Sequence, residues 1–503
     1  MATARYIGIN HSPTLGFSDV IAPRAILIIV MIVLFAWPGK AQERPNVLFI
    51  AVDDLNDFVS CMNGSLSIPT PNIDRIAASG TLFTNAHCQA PLCGPSRASI
   101  MTGMYPSTTG NYLQMHDTDI KKSNEAVKNA TFLPDYFEEN GYKTMAVGKI
   151  YHHGDAAQTF DEYGGIFDFF GPRPKERMNY DPFSLPNKSG KTMTDWGAYP
   201  DYDSLMPDYK SAKWAVEKLS QNHDKPFMMA VGFIRPHVPW HVPQKWFDMF
   251  PIENIATPPY LPTDMDDVPE MGQKVSEAPM MPTADELIAS GEWKEMIQAY
   301  SACVAFVDAQ IGKVLDALEA SQYANNTIVV IWADHGYHLG EKNRVAKQAL
   351  WERDTRTLLA FRIPRISPQS NCNAPVQLLD IYPTLLDACN LPPLNSLEGN
   401  SLTELIAQPD AKWKNHAVSM YGEQNVTVRD CQYRLIQYED GSQELYDLKA
   451  DPNEWKNLAL DPKHAKTIKN LLKSIPEKWA PLSEHSSYSF NEYFKQKSKA
   501  LKY

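Results

Sequence analysis

Three short stretches of the chain carry side chains that could do chemistry together. Asp53 and Asp54 close the run NVLFIAVDD, Asp334 and His335 follow the run TIVVIWA, and Cys93 opens CGPSRASIMTG with Arg97 four positions on. Three carboxylates with little positive charge around them repel one another unless a hard divalent cation sits among them. Oxygen donors favour Ca2+ or Mg2+ over zinc, although His335 adds a nitrogen to the set. Alone, an Asp-Asp pair after a strand is more often a turn or a helix cap. The second acidic strand end is what raises the metal reading. Cys93 is open to four fates: half of a disulfide, metal ligand, nucleophile, or precursor of something else. A thiol nucleophile calls for a partnered histidine and surroundings that stabilise the thiolate.

These residues need a scaffold that brings distant positions together. The runs ahead of Asp53 and Asp334 are continuously apolar, as in strands buried on both faces of a sheet. KPFMMAVGFIRPHVPW (Lys225–Trp240) is a third such run, with Arg235 and His237 at its exit. Helical patterns fall between the runs: PNIDRIAASG with its glycine stop, FLPDYFEENG, and EMIQAYSACVAFVDAQIGKVLDALEA (Glu295–Ala320). Strands alternating with helices predict an α/β fold. Ligands in such sheets bind beyond the carboxyl ends of the strands, so the polar residues just past the three runs are expected in one pocket.

Two stretches, Asp155–Lys210 and Tyr260–Pro282, read as insertions, and loops of that length are usually functional or disordered. The first is rich in aromatic residues, whose Trp and Tyr faces could wall a pocket and stack on sugar rings, or could pack on one another. Its cations Arg173, Lys175 and Arg177 could meet a carboxylate or a sulfate, although a solvated charge cluster is the commoner explanation. From about residue 411 the pattern changes to short strands, with Asp440-Gly441-Ser442 as a hairpin signal and a closing helix from about Pro462. This predicts a main domain over 42–410 and a smaller C-terminal α+β domain over 411–503.

Composition narrows the partners. The 503 residues are 44% hydrophobic and 21% charged, ordinary for a soluble globular protein, and the net charge of −12 argues against nucleic-acid binding. An anionic substrate must then be met by a local cationic pocket. The seven cysteines form neither a disulfide framework nor a zinc signature. Ala25–Trp37 is an apolar run preceded by Arg24 and followed by PGKAQ, which predicts a signal peptide over residues 1–41. The expectation is an exported protein, periplasmic or secreted, free of the membrane once cleaved; the plainer reading is a retained anchor or a buried helix.

The string PLCGPSRASIMTG resembles the signature of type I sulfatases, whose C-x-P-S-R cysteine is converted to formylglycine by a maturation enzyme. The resemblance extends in order through PNIDRIAASGTLFTNAHCQAPLCGPSR, FLPDYFEENGYKTMAVGKIYHHG, RPHVPW, ADHGYHLGEK and ELYDLKADPNEWKNLA. The blocks GKIYHHG and RPHVPWHVPQKWFDMFPIENIATPP look most like iduronate-2-sulfatase and related bacterial polysaccharide sulfatases. One departure is Met104, where the family commonly has arginine after the TG.

The resemblance implies an alkaline-phosphatase-like core, with a large mixed sheet flanked by helices, and a smaller C-terminal domain. It implies one calcium ion on Asp53, Asp54, the modified Cys93, Asp334 and His335. A hydrated aldehyde at position 93 would attack sulfur through one hydroxyl and expel sulfate on losing the proton of the other, a route closed to serine or cysteine. By analogy Arg97 and Lys149 hold the nucleophile and sulfate, and His152 takes that second proton. His237 and Lys347 contact the sulfate and the leaving oxygen, one of them as general acid. Taken singly, each of these cations and histidines has a plainer reading as a surface or packed side chain. The implied substrate is a sulfated polysaccharide or its oligosaccharides: ulvan, carrageenan, or iduronate 2-sulfate in glycosaminoglycans. Competing readings are a phosphatase or phosphodiesterase of the same superfamily, which would favour Ser or Thr at position 93, and a non-catalytic protein that binds sulfated glycans.

Overall fold

The three apolar runs form neighbouring strands. The computed structural model describes residues 44–153, 159–182, 192–366, 370–486 and 491–500. The signal peptide expected over 1–41 lies outside the described residues. Pro45–Tyr503 forms one compact unit.

Eight strands make up the main sheet: β1 (Asn46–Val52), β2 (Thr81–Phe83), β3 (Lys143–Gly148), β4 (Glu162–Tyr163), β5 (Phe227–Phe233), β6 (Thr327–Ala333), β7 (Leu359–Arg362) and β8 (Ser370–Cys372). Their order is β8-β2-β7-β6-β1-β5-β3-β4. The central strands β6, β1, β5 and β3 are parallel, whereas β7 runs antiparallel to both β6 and β2. The sheet is therefore mixed, as expected.

Every residue of β1, β5 and β6 is buried. Side chains alternate across a strand, so Leu48, Ile50 and Val52 enter one apolar cluster while Val47, Phe49 and Ala51 enter another on the opposite face. Helices α1 (Pro71–Ser79), α3 (Pro207–Leu219) and α4 (Trp293–Ala320) contribute to the first cluster; α2 (Cys93–Thr102) contributes Ala98, Ile100 and Met101 to the second. Met104 also packs into that second cluster, so the residue that departs from the family pattern serves the core here.

Register brings the strand exits level. Val52 pairs with Phe233 on one side and Ala333 on the other, and Gly148 pairs with Gly232. The residues that follow these positions leave the sheet along a single edge. At Gly148 this edge admits no side chain: its φ is +75°, and a Cβ there would lie 1.9 Å from the Gly232 carbonyl oxygen. Gly148→Ala is expected to cost at least about 2 kcal/mol of stability, from overpacking and from the positive φ, read as a lower urea midpoint.

In the C-terminal region β9 (Ala417–Met420), β10 (Val426–Arg429), β11 (Tyr433–Gln437) and β12 (Gln443–Asp447) form an antiparallel sheet in that order. Gly441, at φ +85°, turns the last hairpin. Buried ties join this sheet to the segment after β6: Trp351 Nε1 donates to Glu444 Oε2 at 2.9 Å, and Arg434 Nη2 to Glu352 Oε2 at 2.6 Å. None of the seven cysteines is in a disulfide. Among the described residues no helix is long and apolar enough to cross a membrane.

Candidate active site

The carboxylates meet because β1 and β6 are neighbours. Asp54 adopts the left-handed conformation, φ +58°, which aspartate tolerates better than most residues. Its amide donates to Asp334 Oδ1 at 3.2 Å, and Tyr300 Oη donates to its carbonyl at 2.9 Å, so both acidic strand ends are tied.

Cys93 is the first residue of α2 and is wholly buried. The composition of that turn follows from its place. Proline at position 95 lacks an N–H where a helix has no intrahelical partner for one. Gly94 packs so closely that a Cβ would lie 2.1 Å from Gln114 Oε1. Four residues on, Arg97 lies on the same helix face as Cys93. Its Nε donates to Asp334 Oδ2 at 2.9 Å, its Nη2 to Asp53 Oδ1 at 3.3 Å, and its Nη1 to the Lys149 carbonyl at 2.5 Å. Ser96 Oγ donates to the Asp334 carbonyl at 2.5 Å. The C-x-P-S-R turn thus fastens position 93 to both acidic strands.

Lys149, leaving β3, pairs with Asp53. Lys347 comes from an irregular loop after β6; its Nζ lies 2.6 Å from Asp54 Oδ1 and 2.9 Å from Cys93 Sγ. His335 Nε2 is 3.3 Å from the same sulfur. His237 Nε2 stands 3.9 Å from Asp54 Oδ2. His152 stands apart from the carboxylates, with Nε2 2.9 Å from Gln114 Nε2 and Nδ1 2.5 Å from His153 Nδ1. The expectation of little positive charge near the carboxylates fails: Arg97, Lys149 and Lys347 surround them, brought from three different loops or helices by the fold.

Burial raises the Asp53 carboxyl, but Lys149, His237, Arg97 and Lys347 override it and hold it well below the usual range. Burial likewise raises Asp54, and His237 and Lys347 bring it below normal. For Asp334 burial prevails over Arg97, and its pKa is raised. Burial lowers Lys347, yet Asp54 and Cys93 reverse this and push it well above the usual value. The Cys93 thiol is pushed up, first by burial and then by Asp53, against Lys149 and Lys347. A raised pKa works against a thiolate at this position, so the site as it stands favours the precursor reading of Cys93 over a thiol nucleophile.

Two overlapping sets of donor atoms lie within 4.8 Å of one another: Asp53, Asp54, Cys93 and His237, and Asp53, Cys93, Asp334 and His335. The five residues expected as ligands fit a hard cation on two observations. Asp54 Oδ2 is buried without a hydrogen-bond partner. His335 Nδ1 lies 2.8 Å from the Gly336 carbonyl, which places its proton there and leaves an unprotonated Nε2 lone pair beside Cys93 and Asp54, the usual arrangement of a ligating histidine.

Residues 45–391 match the Sulfatase family, and residues 340–480 match the family described as N-sulphoglucosamine sulphohydrolase, C-terminal. The chain belongs to the sulfatase family. It is 48% identical to a protein named sulfatase from Formosa agariphila over 90% of this chain and 91% of that one. It is 31% identical to iduronate 2-sulfatase of Mus musculus, over 65% of this chain and 60% of that one. A solved structure of a protein in complex with its substrate D-glucosamine-2-N,6-O-disulfate shares the fold with a TM-score of 0.65 at 22% identity, over 91% of this chain and 99% of that one. The protein is therefore a sulfuric ester hydrolase with the alkaline-phosphatase-like fold.

The catalytic cluster of this sulfatase opens into a cavity of about 630 Å3, with Asp54, His152, His237 and Lys347 in its lining. Phe169 and Phe170 of the first insertion form part of one wall, and Met280 and Met281 of the second form part of another. Of the two roles open to the aromatic residues of the first insertion, Trp196 and Tyr180 take the second: they stack on each other, with centroids 5.7 Å apart, and are buried. Their large apolar faces are better satisfied inside the insertion than at its rim.

Two positioning groups, Gln114 and Arg344, went unseen in the sequence, and a third, Arg235, was assigned to the wrong place. Gln114 accepts from the Gly94 amide at 2.9 Å through Oε1 and offers its NH2 group to His152, linking the nucleophile turn to that histidine. Arg344 Nη2 donates to the Lys347 carbonyl at 2.7 Å. Arg235, expected in the pocket, instead donates to the carbonyls of His237, His241 and Phe170, and shapes the turn that carries His237. Isolated polar residues in loops have no periodic signal, so only the RPH block hinted at one of them. Gln114→Ala is expected to lower kcat ten- to a hundredfold, as loss of an orienting partner does, with a much smaller change in KM.

Proposed function

We propose that this sulfatase removes a sulfate ester from a sulfated polysaccharide or from oligosaccharides derived from it. In this reading Cys93 is the precursor of formylglycine, matured by a separate enzyme, and one calcium ion is held by Asp53, Asp54, residue 93, Asp334 and His335. The observation that carries it is a buried Cys93 Sγ set between Lys347 and His335 on the acidic edge of the sheet. That sulfur stands in for the oxygens of the mature residue. When present, the ion and the hydrated aldehyde would supply an acidified hydroxyl nucleophile and a route for releasing sulfate.

The chain's own residues do the rest. Arg97 and Lys149 balance the carboxylates and offer fixed positive charge towards the sulfuryl oxygens, which gain charge in the transition state. His152 is the candidate to take the second hydroxyl proton; burial, Lys149 and His153 together lower its pKa well below normal, and Gln114 must release its Nε2 for that step. His237 and Lys347 face the sulfate and the departing oxygen. Relatives named for iduronate 2-sulfate and solved with a sulfated glucosamine support a sulfated sugar as substrate. The apolar run at Ala25–Trp37 supports export to the periplasm or beyond.

The test is a panel of sulfated oligosaccharides, from ulvan, carrageenan and glycosaminoglycans, given to enzyme co-produced with the maturation enzyme. One position on one sugar is expected to lose sulfate. A chelator should lower both turnover and Tm, with Ca2+ restoring both; undiminished hydrolysis and Tm after calcium removal would contradict the metal assignment. Variants at positions 237 and 347 separate the acid from its neighbour. The residue that protonates the leaving oxygen should lose far more turnover on a sugar sulfate than on nitrophenyl sulfate, whose leaving group needs no proton.

A further inference from the structure

We infer that a second cleft beside the catalytic pocket is a subsite for an anionic group on the sugar next to the one that carries the scissile sulfate. The inference rests on the glycan reading above. The cleft measures about 200 Å3 and is lined by Arg173, Lys175, Glu176, Arg177, Asp195 and His241 among others. It shares Thr192 and Met193 with the catalytic pocket, so the two clefts are neighbours on either side of that wall.

The three cations of the RPKER segment divide into two kinds. Arg177 is structural: Nη1 donates to the carbonyls of Tyr180 at 3.2 Å and Thr194 at 2.8 Å, and Nη2 donates to that of Thr192. Asp195 is similarly engaged, accepting from the amides of Met178, Asn179 and Tyr180 at 2.9, 2.9 and 3.0 Å, with His241 Nε2 3.4 Å away. These bonds pin the segment around residues 177–180 to residues 192–195, which gives Arg173 and Lys175 a firm base.

Arg173 and Lys175 are exposed. Among the described residues, the guanidinium of Arg173 has Met193 Sδ at 3.4 Å, a weak acceptor, and Lys175 has no ion pair. Glu176 is the acid of this wall without a described ion pair, so two uncommitted cations face one carboxylate. In a chain of net charge −12, such a place attracts an anion against the prevailing field. The planar fork of arginine suits the paired oxygens of a carboxylate or a sulfate, and lysine adds a point charge. A uronate or a second sulfate ester on the neighbouring sugar supplies the same chemistry.

The experiment compares native enzyme with R173A/K175A and with the charge reversal R173E/K175E, all matured. The substrates are a sulfated tetrasaccharide from the panel sugar that is hydrolysed, its sulfated monosaccharide, and two altered tetrasaccharides. One has the neighbouring carboxyl reduced, and the other has the neighbouring sulfate removed. Expected is a KM for the intact tetrasaccharide that rises about tenfold more than that for the monosaccharide in R173A/K175A, and further in the reversal, with a weaker dependence on salt. The native KM should rise on whichever altered tetrasaccharide lacks the recognised anion, which identifies the source. Equal effects on tetrasaccharide and monosaccharide, or none on the former, would overturn the subsite while leaving the glycan reading intact. Turnover of nitrophenyl sulfate with none of any glycan would overturn both.

Discussion

Cys93→Ala is expected to lower sulfate-ester turnover by at least about four orders of magnitude, the scale on which loss of a nucleophile leaves only binding and electrostatic stabilisation. Folding should survive, because the side chain is small and its contacts are polar edges of the site: Lys347, Asp54 and His335. The informative companion is Cys93→Ser. A hydroxyl in this place can attack sulfur but has no second hydroxyl through which to expel sulfate, so at most one equivalent of product alcohol forms and the intact protein gains the mass of one SO3 group. Mass analysis of the native peptide spanning position 93 completes the test. An unaltered thiol in fully active material would remove the basis of the proposed chemistry.

The second large effect is expected at Arg97. Its side chain has no exposed surface and stands between Asp53 and Asp334, which have none either. Removing one partner of a buried pair typically costs about 3–5 kcal/mol, since the remaining charge is left without compensation. Arg97→Ala should therefore lower the urea midpoint strongly and reduce turnover by about two to three orders of magnitude, comparable to loss of a fixed transition-state donor. The stability loss has a direction with pH. Burial already raises Asp334 despite Arg97. Without Arg97 the folded pKa rises further above the unfolded value, so the folded state binds the extra proton. The defect shrinks as pH falls and grows as pH rises through the carboxylate range. Arg97→Lys restores charge without the fork that reaches both carboxylates, and should recover stability better than turnover.

Much of this site was legible before any fold was known. Apolar runs that end in carboxylates identify β1 and β6, because residues of a doubly covered strand must be apolar on both faces and change character where the sheet ends. Cys93 and Arg97 lie four apart in a helix, so their common face follows from helical periodicity. On the fate of the thiol the side chains alone left four readings open, and the family signature favours one of them, the formylglycine precursor. The insertion shows the opposite case. Its composition left tryptophan and tyrosine open to walling a pocket or packing together; Trp196 and Tyr180 bury one another, and Phe169 and Phe170 line the cavity instead.

Local pattern by itself determined the strands, the nucleophile turn and the acidic sheet edge, since each is encoded in contiguous residues with a period or a signature. The family resemblance named Arg97, Lys149 and Lys347, but only the tertiary structure decided how they pair with the carboxylates. Lys347 reaches Cys93 across 254 positions of sequence from a loop without regular structure. Gln114 joins the helix start to His152, and Arg177 is tied to carbonyls while Arg173, four residues earlier, remains available. Such pairings depend on where loops return after crossing the sheet, and hydrogen bonds between distant loop residues leave no periodic trace in the chain.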